Sequence, residues 1–84
     1  MRKFYIKRFQ TINGRHNIVY IKKILTRFDE PKFFPCDTLK LATVFSEDGL
    51  KEFQLLGALP NIDYTVVEIS LNGKTITEFP LTSF

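Results

Sequence analysis

Along residues 2–12 (Arg-Lys-Phe-Tyr-Ile-Lys-Arg-Phe-Gln-Thr-Ile), aromatic and β-branched residues are interleaved with charge. Asn13-Gly14 follows, the pair best suited to the positive φ angles of a type I′ turn. Residues 15–27 return to the same character, with Ile18, Val19, Tyr20, Ile21 and Ile24. The pattern predicts a β-hairpin about Asn13-Gly14. A basic amphipathic helix over 17–28 competes, because Ile18, Ile21, Leu25 and Phe28 recur at helical spacing. The β-branched cluster favours the strand. In a two-residue hairpin, Ile12 faces Arg15 and the rest follow. Phe4, Ile6, Arg8 and Ile12 then share a face with Val19, Ile21, Lys23 and Leu25. The other face carries Lys3, Tyr5, Lys7, Phe9, His16, Ile18, Tyr20, Lys22 and Ile24.

Residues 29–38 hold two prolines and are expected to be a connection, with Phe33 and Phe34 plugging the edge of the core. Leu39 to Phe45 is a short apolar run and a candidate third strand. Ser46 is placed to cap a helix over 47–58, with Glu47 and Asp48 in its first turn, where the helix dipole favours acids. Leu50, Phe53 and Leu56 form its apolar stripe, and Gly57 and Pro60 end it. A hairpin turning at Asp48-Gly49 is the alternative and would make the protein all-β. Ile62–Leu71 and Lys74–Leu81 flank Asn72-Gly73, which predicts a second type I′ hairpin with Val67, Ile69, Leu71 and Ile76 facing the core. The expected fold is α+β: one antiparallel sheet of about five strands with one helix, in the order β-β-β-α-β-β.

The 84 residues suit a single domain spanning 1–84. Such a chain buries only about 60–65% of its unfolded surface, so its stability is expected to be modest. Its longest aliphatic and aromatic run, Ile18-Val19-Tyr20-Ile21, is far too short to cross a bilayer. Lys7 and Arg8 break the N-terminal apolar stretch before it reaches signal-peptide length. With a lone Cys36, this points to a cytoplasmic protein with no membrane partner. Residues with AT-rich codons (Phe, Tyr, Ile, Asn, Lys) are abundant, as in low-GC bacteria, their phages and mobile elements.

Little catalytic chemistry is present. His16 is the only imidazole and Cys36 the only thiol. No sequence feature joins them, and no phosphate loop or metal-binding helix motif occurs. No enzyme activity and no cofactor are expected. Charge carries the stronger signal. The net charge of +3 divides into +8 over residues 1–28, which contain no acid, and −5 over 29–84. Such asymmetry points to a polyanionic partner, or to a basic segment neutralised by the acidic remainder. On one face of the first hairpin, Tyr5, Phe9 and Tyr20 alternate with Lys3, Lys7 and Lys22. Rings can stack on unpaired bases while lysines follow phosphates. Arg8, Arg15 and Lys23 complete the predicted binding set, and Arg2 and Arg27 are placed to extend the phosphate track. The expected function is a small binding module for nucleic acid, single-stranded by preference, or for a complex that handles it. The alternative is a protein–protein module, such as a phage-type inhibitor that occupies an acidic host surface or nucleoprotein. A homodimer pairing through the first strand or the tail Leu81–Phe84 is a further possibility.

Overall fold

A computed structural model describes residues 1–84. Five strands form one antiparallel sheet: β1 (Lys3–Ile12), β2 (Arg15–Leu25), β3 (Pro31–Cys36), β4 (Tyr64–Ile69) and β5 (Thr75–Pro80). Their order across the sheet is β3-β2-β1-β4-β5. One helix, α1 (Glu47–Leu56), covers one face. The α+β class and the element order agree with the sequence pattern.

The first hairpin forms as its residues dictate. Asn13 (φ +51°) and Gly14 (φ +76°) both lie in the left-handed region, and Ile12 pairs with Arg15. The ladder runs regularly to Lys7–Tyr20. Below that level β1 and β2 part, and residues 43–45 occupy the fork. Phe4 and Phe45 exchange backbone hydrogen bonds of 2.9 and 2.7 Å, and Thr43 N–H donates to Ile21 O. Thr43 Oγ1 accepts from Lys23 N–H. At the other end, β4 reaches only to Arg8 and β3 only to Tyr20. The tip from Phe9 to Ile18 therefore projects as a free two-stranded ribbon.

The third strand is Pro31–Cys36, not Leu39–Phe45. Only Phe45 of that apolar run bridges to the sheet, and Leu39–Leu41 is a 3-10 turn. Proline is tolerated at an edge whose N–H positions face away from the neighbour. Ile21 and Lys23 turn their backbone groups toward Thr43. Their partners Pro35 and Phe33 therefore point outward. Of the outward positions 31, 33 and 35, only Phe33 keeps an N–H. Phe33 packs on the core, whereas Phe34 lies on the opposite face, 47% exposed.

Ser46 caps α1 as expected, its Oγ accepting from Gly49 N–H at 3.1 Å. Leu50 and Phe53 are buried, but Leu56 is turned outward. The last turn meets the sheet through Gly57 instead. Gly57 is not left-handed (φ −115°). It is required because a Cβ there would lie 2.5 Å from the Phe33 ring and 2.6 Å from the Phe53 ring.

The second hairpin departs from the predicted type I′ turn. Only Gly73 has positive φ (+81°). Gly73 N–H donates to Ser70 O, and Ser70 N–H to Lys74 O, closing a three-residue loop. Ser70 Oγ and Asn72 Oδ1 both accept from Lys74 N–H, local bonding that favours the longer loop. A bulge opposite Glu68/Ile69 absorbs the extra residue. The core face of β4 is Tyr64 and Val66, because Val66 pairs with the buried Ile6. Val67 and Ile69 face the other way, and Leu71 and Ile76 are exposed. The core is thus Phe4, Ile6, Ile21, Phe45, Leu50, Phe53, Tyr64, Val66 and Leu81. Phe53 is its hub, packed edge-on against Phe33 and Tyr64 with ring centroids 5.1 and 5.0 Å away.

The two segments expected to pair in a homodimer differ in how far the fold occupies them. The first strand pairs with β4 over Lys3–Arg8, whereas its Phe9–Ile12 segment keeps an unpaired outer edge. Leu81 is buried in the core, and Phe84 stacks on Phe79.

Candidate nucleic-acid interface

The helix covers one side of the sheet and leaves the other bare. The alternation of β1 and β2 puts Lys3, Tyr5, Lys7 and Phe9, with Ile18, Tyr20, Lys22 and Ile24, on this open face. Six of the nine predicted site residues therefore share a surface. The Tyr5 and Tyr20 rings pack edge-on, with centroids 5.8 Å apart. Phe9 stands 62% exposed at the root of the ribbon, directly opposite Ile18.

Arg8, Arg15 and Lys23 lie on the other side, as the period of two requires. Lys23 Nζ pairs with Glu52 Oε1 of α1. Arg8 lines a small cleft with Gly57, Leu59 and Tyr64. A cation there sits by the C-terminal, negative end of the helix dipole. Arg15 is exposed at the ribbon tip, opposite Ile12.

Part of the basic segment is used within the fold. Arg2 bonds Glu68 through Nε and Nη2 at 3.1 and 3.0 Å, and reaches Glu47 at 3.4 Å. The hydrogen bonds from Arg2 hold the Glu68 carboxyl below its ordinary range, and those to Glu68 raise the guanidinium. Lys7 Nζ meets Glu78 Oε1 at 2.9 Å. Of the eight cations in residues 1–28, Arg2, Lys7 and Lys23 thus have acidic partners. Lys3, Arg8, Arg15, Lys22 and Arg27 have none. Arg27 lies over the Phe28 ring, 4.9 Å from its centroid. Both a neutralised part and a free part of the charge therefore exist, and the free lysines Lys3 and Lys22 belong to the open face.

The sequence pattern did not place β3, and so missed two residues of this surface. Lys32 pairs with Ile24 and Phe34 with Lys22, both pairs on the open side. The signal was the proline spacing: Pro31 and Pro35 share a parity, which leaves Lys32 and Phe34 on the opposite one. Cys36 and His16 are also on this side. Tyr20, the neighbour of Cys36, is four residues along β2 from His16, about 13 Å, so the thiol and imidazole are not brought together. The His16 ring is 3.2 Å from Thr11 Oγ1, and Cys36 Sγ donates to Thr38 O.

No helix is long and apolar enough to cross a membrane. Comparison with protein families, with curated proteins and with solved structures finds no match to this chain.

Proposed function

We propose that the protein is a non-enzymatic binding module whose open sheet face engages single-stranded nucleic acid, or a complex that presents it. One observation carries the reading. On a face that no other element of the fold covers, Tyr5, Phe9 and Tyr20 are interleaved with Lys3, Lys7 and Lys22, and Glu78 is the acid of the neighbouring strands that meets them. Phe9 is exposed and the two tyrosines are half-buried; rings on such a face supply stacking that tolerates any base, and ammonium groups supply phosphate contacts.

Titration of a fluorescent single-stranded oligonucleotide at several salt concentrations tests this. With Lys3, Lys7, Lys22 and Lys32 in contact with phosphates, log K should fall against log[salt] with a slope of about −3. Lys3→Glu combined with Lys22→Glu should weaken binding by about a hundredfold or more, since each like charge now opposes a phosphate. The thermal midpoint should barely move, because neither lysine has an acidic partner to lose. Lys7→Glu is the poorer probe, as it would set two carboxylates together at Glu78. Salt-independent binding would remove the nucleic-acid reading.

A protein-surface inhibitor is the second reading, and the projecting ribbon favours it. Phe9 and Ile18 form a cross-strand apolar pair, 62% and 40% exposed, at the root of a finger free of neighbours. Such a pair suits an interface anchor. Under this reading, one host protein is captured stoichiometrically after nuclease treatment, and Phe9→Ala abolishes the capture.

A further inference from the structure

Resting on the nucleic-acid reading, we propose that the open face is built for single-stranded DNA, held as successive nucleotides by two ring–lysine couples, Tyr20 with Lys7 and Phe34 with Lys22. Each couple is a directly opposed cross-strand pair. Such neighbours stand within about 4.5–5.5 Å at Cβ, close enough for one nucleotide to meet both its ring and its ammonium. Tyr20 and Lys22 are two residues apart on β2, so the couples repeat at about 6.8 Å along the strand. A polynucleotide must splay its bases to span that repeat, which a duplex, with its base faces already stacked, cannot do. Charge fits the occupant. Lys22 has no acidic partner, Lys7 keeps two of its three N–H donors after meeting Glu78, and Lys32 lies one step further down β3.

The surroundings favour DNA over RNA. Beside the Phe34–Lys22 couple, the open face offers Ile24, two residues along β2, apolar and 44% exposed. A ribose 2′-hydroxyl placed there would be desolvated without a partner. A deoxyribose or a thymine methyl loses nothing.

The test compares six-nucleotide oligodeoxythymidylate with oligouridylate of the same length, by fluorescence anisotropy at fixed salt. The wild-type chain should bind the DNA at least about fivefold tighter, and Phe34→Ala should weaken DNA binding about tenfold. Lys22→Gln should weaken it and lower the salt slope by about one phosphate equivalent. Phe34 is half-exposed on an edge strand, and circular dichroism with thermal melting verifies that both variants fold. Equal or tighter binding of the RNA overturns the inference, as does DNA affinity unchanged by Phe34→Ala. In both cases the nucleic-acid reading survives. If neither oligonucleotide binds, that reading itself fails and this inference with it.

Discussion

At the scale of single residues, Gly57 shows how a position can matter for what it lacks. Two core rings close on it to within 2.6 Å of where a Cβ would stand. Both belong to packed Phe side chains, not to flexible ends. Gly57→Ala is expected to cost about 1–3 kcal/mol and to lower the melting temperature by about 10 °C, measured by thermal denaturation. Its helix-stopping role was legible in the sequence. Its packing role was not, because no local pattern shows that Phe33 will arrive from another strand. Arg2 is a similar case. It was expected at the rim of a phosphate track, yet it ties the start of β1 to Glu68 and to the first turn of α1. The Glu68 carboxyl is held below its ordinary value of 4.5, chiefly by the hydrogen bonds from Arg2. The resulting stabilisation is full above that value and is lost as pH falls through the lowered one. The raised Arg2 stays protonated throughout this range. Arg2→Gln should therefore melt below wild type at pH 7, and the gap should close as the solution is acidified past pH 4.

At the scale of elements, legibility followed how local the determining physics is. The first turn, the cap at Ser46 and the buried pair Leu50 and Phe53 rest on neighbours within a few residues, and all appear where expected. Ser46→Ala removes the acceptor for Gly49 N–H. It should cost about 1 kcal/mol, measured as a shift of the urea midpoint at unchanged slope. The misplaced third strand and the inverted face of β4 have a different origin. Pro31–Cys36 becomes a strand only because it lies at an edge, and Val66 faces inward only because β1 presents Ile6 to it. Both facts depend on the order of strands in the sheet, which alternation along one strand does not encode. The same limit explains why Tyr5, Phe9 and Tyr20 were correctly grouped, whereas Phe34 and Lys32 were overlooked.

At the scale of the molecule, the surface is large for the mass. A compact 9.8 kDa monomer exposes about 5,200 Å², whereas this chain exposes 6115 Å². The difference is about 900 Å². The free ribbon and the open face account for its location, with Phe9, Ile18, Ile24 and Phe34 all exposed. An uncovered apolar sheet invites self-association, and the outcome is decided at the margins of the sheet. On one margin, prolines leave a single outward N–H. On the other, β5 is kinked by a bulge and ends at Pro80. A growing fibre needs a straight, fully armed template at which the next copy can add its strand. Neither outer margin offers one, so strand addition is confined to the projecting ribbon, where Phe9–Ile12 and Arg15–Val19 keep unpaired edges.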